Sequence, residues 1–255
     1  MPGPENPLDH PAIAWRLFHP RRTGILPTFV VGEGELRLGC HAIRVDPQAG
    51  WVVFFHGNGE LAAESERHLG HLFTAAGWNA CFVEYRGYGD SGGRPALAAM
   101  LGDGQRVAAA LGAPPEKIVA FGRSLGSIYA IELARRLPAL GGLVLESGIA
   151  SLNDHWKLTQ EAEEVGCDPA EIEAALAADF DHRAKLSAYS GRMLVLHAAG
   201  DRLVVPANAK RFHAWGAGNE KRLVVFPRGD HNSIFFANES EYTAEVRRFL
   251  ARAVV

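Results

Sequence analysis

The sequence KIVAFGRSLGS at residues 117–127 decides the fold and the chemistry expected of this chain. An apolar run of strand length, Lys117–Phe121, ends in the motif GRSLG, and a helical pattern begins at once. In this strand–turn–helix setting, G-x-S-x-G puts the serine on a tight, strained turn, where the flanking glycines let strand and helix pack closely. The pattern predicts Ser124 as an exposed nucleophile at a helix N-terminus. The alternative is an ordinary helix start with Ser124 as the N-cap.

Apolar runs of strand length alternate with helical patterns on both sides of that turn. Continuous runs such as WVVFF are typical of strands buried on both faces. The alternation predicts an α/β fold, a mostly parallel sheet with helices on both faces and its site at the carboxyl ends of the strands. The predicted strands are Trp51–Phe55, Asn79–Tyr85, Lys117–Phe121, Gly142–Leu145, Met193–His197 and Leu223–Phe226, with Leu36–Val45 as an edge strand or hairpin. The predicted helices are Leu61–Ala76, Pro95–Leu111, Leu125–Leu137, Pro206–Trp215 and Glu239–Arg252.

Two residues further along the chain are placed to activate the serine. A serine hydroxyl needs a base, and the base needs an acid that orients it; in sheets of this kind the chain order is serine, acid, histidine. The strand Met193–His197 runs into Asp201, and the strand Leu223–Phe226 runs into His231. The three positions follow three separate strands in the required order. This placement predicts a triad of Ser124, Asp201 and His231.

Two other carboxylates compete for the role of the acid. Asp230 adjoins His231, although neighbouring side chains rarely face each other in the required geometry. Glu146 ends another predicted strand and could also reach the histidine, with a structural carboxylate below the site as its other interpretation.

An acyl-transfer site also needs donors for the oxyanion. One donor is the backbone N–H after the nucleophile, here that of Leu125, and the second comes from the loop after an earlier strand. The strand Trp51–Phe55 leads into the Gly-rich turn HGNGE. We expect the amide of Asn58 as the second donor, with Gly59 as the alternative. The other interpretation is a plain strand-to-helix turn with Asn58 as a cap. His56 is expected to support this loop by hydrogen bonds.

Composition and charge limit the possible classes of function. The chain has 255 residues, of which 47% are hydrophobic, and a net charge of -3, which fits a single domain over 1–255 without a basic field for nucleic acid. Three scattered cysteines predict neither a disulfide framework nor a metal site. The apolar runs are far shorter than the roughly 20 residues of a membrane span. With no secretory signal pattern in the first residues, we expect a cytoplasmic protein.

Six stretches of the chain together resemble a known superfamily. FFHGNGE, EYRGYGDSGGRP, GRSLGS, LES, the GD at 200–201 and the DHN at 230–232 are similar to the α/β-hydrolase superfamily, in the branch of small serine hydrolases related to the α/β-hydrolase-domain depalmitoylases. The resemblance spans about residues 52–250. It implies the same triad, an oxyanion hole of Asn58 and Leu125, and hydrolysis without metal or cofactor. Those depalmitoylases carry a Cys-rich, acylated N-terminus, whereas the first 35 residues here have no cysteine.

An insertion over about 149–190 separates two predicted neighbouring strands and is too long for a bare connection. DPAE at 168–171 is typical of a helix start, and the spacing of the apolar residues after it predicts a short helical lid over the nucleophile. This lid is acidic. We interpret its charge as a solvated face, the alternative being selection against anionic substrates or for cationic ones. Its acids are Asp154, Glu161, Glu163, Glu164, Asp168, Glu171, Glu173, Asp179 and Asp181.

The expected function is that of a serine hydrolase acting on small-molecule carboxylic esters or thioesters. A peptidase-like hydrolase is the second possibility, although peptidases of this fold generally carry a larger cap or a propeller. A non-catalytic binding protein on the same scaffold is the third, and the intact Ser, Asp and His argue against it. The natural substrate and the oligomeric state do not follow from the sequence.

Overall fold

Eight strands form one sheet in the computed structural model, which describes residues 5–253. Their order across the sheet is β1-β2-β4-β3-β5-β6-β7-β8. The pairs β1–β2 and β2–β4 are antiparallel, and all other neighbours are parallel, as predicted for a mostly parallel sheet. The strands are β1 (Phe29–Val31), β2 (Leu38–Ile43), β3 (Trp51–Phe55), β4 (Asn79–Val83), β5 (Ile118–Arg123), β6 (Gly142–Glu146), β7 (Met193–Ala198) and β8 (Lys221–Phe226).

Helices follow most of the strands. They are α1 (Pro11–Leu17), α2 (Ala62–Thr74), α3 (Asp103–Leu111), α4 (Gly126–Arg136), α5 (Leu152–Trp156), α6 (Pro169–Asp179), α7 (His182–Ala188), α8 (Ala207–Trp215), α9 (Ile234–Ala237) and α10 (Glu239–Arg252). Helices α5 to α7 lie within the predicted insertion, and α1, which the sequence pattern did not predict, precedes the sheet.

The predicted helix Pro95–Leu111 is wrong in its first half. The α-helix begins only at Asp103, after a 3₁₀ turn over Ala99–Gly102. The carboxylate of Asp9 accepts hydrogen bonds from the amides of Ala98 and Ala99, at 2.7 and 3.1 Å. A side chain about 90 positions earlier therefore caps these amides, and no local pattern could have predicted that contact.

The buried strands divide their side chains between two apolar layers. In β3, Val53 and Phe55 pack into the layer on one face of the sheet, and Val52 and Phe54 into the layer on the other. This alternation is the period of two expected of a strand covered on both faces. Strands β5 and β6 are buried on both faces in the same way, and Ser124 follows the carboxyl end of β5.

Candidate active site

The turn after β5 is strained and leaves no room for side chains beside Ser124. Ser124 has a φ of +52°, a conformation that costs a non-glycine residue on the order of 1–3 kcal/mol. A Cβ on Gly126 would lie 2.0 Å from the carbonyl oxygen of Phe55, and one on Gly122 would lie 2.5 Å from that of Gly126. Both glycines are therefore required for helix α4 to start this close to β3 and β5.

The structure brings the three predicted residues of the triad together. Ser124 Oγ lies 2.9 Å from His231 Nε2, and His231 Nδ1 lies 2.8 Å from Asp201 Oδ2. All three side chains are buried. A carboxylate beside Nδ1 holds the proton on that nitrogen, so that Nε2 is free to accept the serine proton. The arrangement can thus deprotonate a serine hydroxyl at the moment of attack.

Asp201 is surrounded by donors that keep it ionised. Its Oδ1 accepts hydrogen bonds from the amides of Leu203 and Val204, at 3.0 and 2.9 Å. Burial alone would raise its pKa, but hydrogen bonds from His197 and His231 outweigh burial and hold the pKa of Asp201 well below its ordinary value. The carboxylate is therefore negative at every pH at which a histidine base works.

His197 is a further neighbour of Asp201. It is fully buried. Its Nε2 lies 2.7 Å from the carbonyl oxygen of Val204 and 3.3 Å from Asp201 Oδ2. Nothing in a strand sequence such as MLVLHA separates a histidine that faces a carboxylate from one that only fills space.

The two competing acids lie away from the histidine ring. Asp230 is exposed, and its Oδ1 accepts from the amides of Asn232 and Ser233 and from the Ser233 hydroxyl. These bonds stabilise its own turn and lower its pKa. The carboxylate of Glu146 is buried and is hydrogen-bonded by the Tyr242 hydroxyl. Its contacts with Tyr242 and with Arg123 favour the interpretation of Glu146 as a structural carboxylate below the site.

The side chain of Asn58 holds the N-terminal segment in place instead of capping a helix. Its Oδ1 accepts from the Tyr88 hydroxyl at 2.8 Å and from the amide of His19 at 3.0 Å, and its Nδ2 donates to the carbonyl oxygen of Leu17. The backbone N–H groups of Asn58 and Leu125 have no protein acceptor within residues 5–253. Their role as oxyanion donors stays a prediction.

His56 supports this loop from inside the protein. Its Nδ1 lies 2.7 Å from the carbonyl oxygen of Gly57, and its Nε2 lies 2.9 Å from Glu84 Oε1. The Tyr85 hydroxyl donates to the His56 carbonyl oxygen at 2.6 Å. The sequence indicated the role of His56 but not its carboxylate partner, because Glu84 comes from the neighbouring strand's end.

Most acids of the insertion have structural partners. Glu161 and Glu164 both pair with Arg16 of α1 at 2.9 Å, and Asp154 pairs with Arg211 at 2.6 Å. Asp179 accepts from the Asn6 side chain, while Asp168 and Asp181 cap α6 and α7. Six of the nine acids are thereby used to attach or cap helices, which favours a structural origin of the charge over selection of cationic substrates.

A recess lies between α1 and the insertion. Its volume is about 240 Å³, and Arg16 and Glu161 contribute its charged lining. Its apolar lining consists of Ile13, Leu17, Trp156, Leu158 and Val165. One wall contacts the predicted oxyanion loop, because the Asn58 side chain donates a hydrogen bond to the carbonyl oxygen of Leu17.

Residues 5–253 contain neither a candidate metal site nor a candidate membrane span. No group of three or more His, Cys, Asp or Glu side chains in that range could hold a metal ion. None of the helices in this range combines the length and the hydropathy that a membrane span needs.

The whole fold is similar to solved α/β structures of esterases and lipases. A monoacylglycerol lipase from Paleococcus ferrophilus superposes with a TM-score of 0.68 at 16% identity, over 85% of this chain and 99% of the other. An esterase from Exiguobacterium antarcticum gives a TM-score of 0.64 at 18% identity, over 84% and 95% of the two chains. At these identities the likeness shows the fold alone.

Sequence similarity covers about half of the chain. The family model described as serine aminopeptidase, S33, matches residues 46–166. Alpha/beta hydrolase domain-containing protein 17B of Homo sapiens is 30% identical over 121 residues, which are 45% of this chain and 41% of that protein. The 17C protein of Xenopus tropicalis is 32% identical over 120 residues, 45% and 38% of the two chains. The family match includes Ser124 but ends before Asp201 and His231.

Proposed function

Because the chain is a member of the α/β-hydrolase superfamily, related to the α/β-hydrolase-domain depalmitoylases, we propose that it is a serine hydrolase for carboxylic esters or thioesters. One observation carries the proposal. An unbroken line of hydrogen bonds runs from Ser124 Oγ through His231 to an ionised Asp201. That line is what nucleophilic catalysis by a serine requires, and a binding protein gains nothing from it.

The reaction proceeds in two halves. In the first, Ser124 Oγ attacks the acyl carbon while its proton passes to His231 Nε2, and Asp201 stabilises the imidazolium that results. The amides of Asn58 and Leu125 hold the negative oxygen of the tetrahedral intermediate. His231 then gives the proton to the departing alcohol or thiol, leaving an acyl-enzyme. In the second half a water molecule, deprotonated by His231, releases the acid and restores the serine.

The recess between α1 and the insertion is the surface that suits the acyl group. It adjoins the predicted oxyanion loop, since Leu17 in its lining accepts a hydrogen bond from the Asn58 side chain. Its volume of about 240 Å³ is below the roughly 300–1,000 Å³ of common ligand pockets. We expect a preference for short and medium acyl chains over long ones.

The test combines a covalent probe with a graded series of substrates. A fluorophosphonate should label wild-type protein but not Ser124→Ala, and p-nitrophenyl esters and acyl thioesters from acetyl to palmitoyl should give the chain-length profile. Val165→Phe, which narrows the recess, should lower kcat/KM for octanoyl more than for acetyl esters. Leu137→Phe is the matched control, because Leu137 is also half-buried but lies at the end of α4. A folded wild-type protein that neither hydrolyses any ester nor takes the label contradicts the proposal.

A peptidase-like hydrolase is the second candidate, since the matching family model is described as a serine aminopeptidase. Aminoacyl p-nitroanilides separate the two. Turnover of anilides at a kcat/KM equal to or above that of the esters would favour the peptidase.

A further inference from the structure

We propose that Arg123, the residue before the nucleophile, is a positioning residue that ties the loops of the active site together and holds His231 at Ser124. The inference rests on the proposed function, since it concerns the geometry of that same reaction. It assigns a role to a motif position that the sequence pattern leaves free.

The guanidinium of Arg123 contacts two loops and the end of a neighbouring strand. Its Nη2 donates to the carbonyl oxygen of His231 at 2.8 Å, and its Nη1 pairs with Glu60. Its Nε lies 3.2 Å from Glu146 Oε1, at the end of the neighbouring strand. Only an arginine side chain offers donors in several fixed directions from one planar group.

Each partner connects the guanidinium to a part of the predicted machinery. Glu60 also accepts from the amide of Gly57 at 2.9 Å, which fixes the loop expected to hold the oxyanion. Glu146 accepts from the amide of Ser124, through its carbonyl oxygen, at 2.8 Å. The bond to His231 is made to the backbone of the base itself. The nucleophile, the base and the oxyanion loop are therefore joined through one side chain.

The surroundings of the Arg123 guanidinium match both its charge and its size. Burial opposes the charge of Arg123, but Glu60 and Glu146 outweigh it and keep its pKa above the ordinary value. A Cβ at Gly57 would lie 2.6 Å from Arg123 Nη1 and 2.9 Å from Glu60 Oε1. The glycine thus leaves room for the ion pair, and Gly57→Ala displaces the pair without changing any charge.

The consequence for catalysis follows from distance. The hydrogen bond of 2.9 Å between His231 and Ser124 depends on where the loop after β8 lies. Without Arg123 the carbonyl of His231 loses a charged donor. A displacement of about 1 Å at a reacting group can cost on the order of 100-fold in rate.

The experiment compares Arg123→Ala, Arg123→Lys and Gly57→Ala with wild type on p-nitrophenyl acetate, with the active fraction counted by fluorophosphonate. We expect Arg123→Ala to lower kcat per active site by about 100-fold with KM changed by no more than about threefold. Arg123→Lys and Gly57→Ala should each lower kcat by at least about 10-fold, because a lysine cannot contact all the partners. Arg192→Met is the matched control, since Arg192 also joins a carboxylate and a backbone carbonyl, Glu220 and Phe249.

Chemical rescue separates positioning from a merely structural role. A cavity of about 260 Å³ borders Arg123, Glu60 and Glu146, so methylguanidinium can reach the space left by Arg123→Ala. We expect saturable recovery of kcat with methylguanidinium and none with tetramethylammonium. Arg123→Ala leaves the buried carboxylate of Glu146 without its cationic partner and could fold poorly for that reason. The double variant R123A/E146Q removes this charge and is used if the single variant does not fold.

Unchanged kcat per active site in a folded Arg123→Ala or R123A/E146Q protein overturns the inference. So does a loss confined to the active fraction, which would make Arg123 structural only. Wild-type protein without esterase activity or labelling would instead contradict the proposed function.

Discussion

Asp201 and Glu146 are two buried carboxylates at the same edge of the sheet, and their surroundings differ completely. Asp201 follows β7 and lies 2.8 Å from the Nδ1 of His231, with amides and His197 around it. Glu146 ends β6 and contacts Arg123 and Tyr242. The pKa of Asp201 is lowered by its hydrogen bonds, whereas that of Glu146 is raised by burial. Placement after a parallel strand is therefore common to both carboxylates, and the groups that face them favour Asp201 as the candidate acid.

The largest expected effect sets the scale for this comparison. Ser124→Ala should lower kcat by about 10⁶-fold and abolish labelling by a fluorophosphonate, because it removes the proposed nucleophile, whichever carboxylate orients the histidine. Thermal melts check that the fold survives. A folded variant that keeps more than about a tenth of the wild-type activity would rule out Ser124 as the nucleophile.

The second prediction compares the two carboxylates directly. Asp201→Asn should lower kcat by about 10⁴-fold, because an amide favours the wrong tautomer of His231. Glu146→Gln should lower it by less than about 10-fold, since Arg123 keeps Glu60 as a charged partner.

One activated ester and thermal melts suffice for both variants. If Glu146→Gln lost activity and Asp201→Asn kept it, the acid would be Glu146. If both folded and stayed active, the site would work as a dyad.

The sequence predicted the strands, and the strand ends at which the three candidate triad residues lie, better than it predicted contacts between distant residues. The parallel sheet follows from apolar runs whose period is local, and the positions of Ser124, Asp201 and His231 follow from where those runs end. The capping of Ala98 by Asp9 and the contacts of Arg123 join residues far apart in the chain. Helix α1 was not predicted. Its Arg16 pairs with two acids of the insertion, and these contacts between distant parts of the chain cannot be read from a local pattern.

The third prediction uses the opposite pKa shifts of the two carboxylates. The pKa of Asp201 is lower in the folded state than in the unfolded chain, so its ionisation stabilises the fold. This contribution is complete above the ordinary pKa of about 3.9 and is lost as the pH falls through the folded-state pKa. A raised pKa does the reverse, so the fold loses stability through Glu146 as the pH rises above about 4.3.

Melting temperatures of wild type and of the two variants between about pH 3 and 7 measure how each carboxylate changes the stability with pH. The advantage of wild type over Asp201→Asn should grow with pH up to about 4–5 and then level off. The difference between wild type and Glu146→Gln should move in favour of the variant as the pH rises above about 4.3. Slopes of the same sign for both variants would show that the two carboxylates do not differ in the folded state as described.

The smallest effect is expected at the carboxylate nearest to the histidine in the chain. Asp230 adjoins His231, yet its Oδ1 binds the amides of Asn232 and Ser233. Asp230→Asn keeps that acceptor, so kcat should stay within about twofold of wild type. Asp230→Ala removes it, frees the turn that carries the base, and should lower kcat severalfold without changing the pH at which activity appears. The pair of variants is measured on the same activated ester as Asp201→Asn. A loss in Asp230→Asn comparable to that in Asp201→Asn would mean that charge beside the histidine, and not contact with its Nδ1, orients the base.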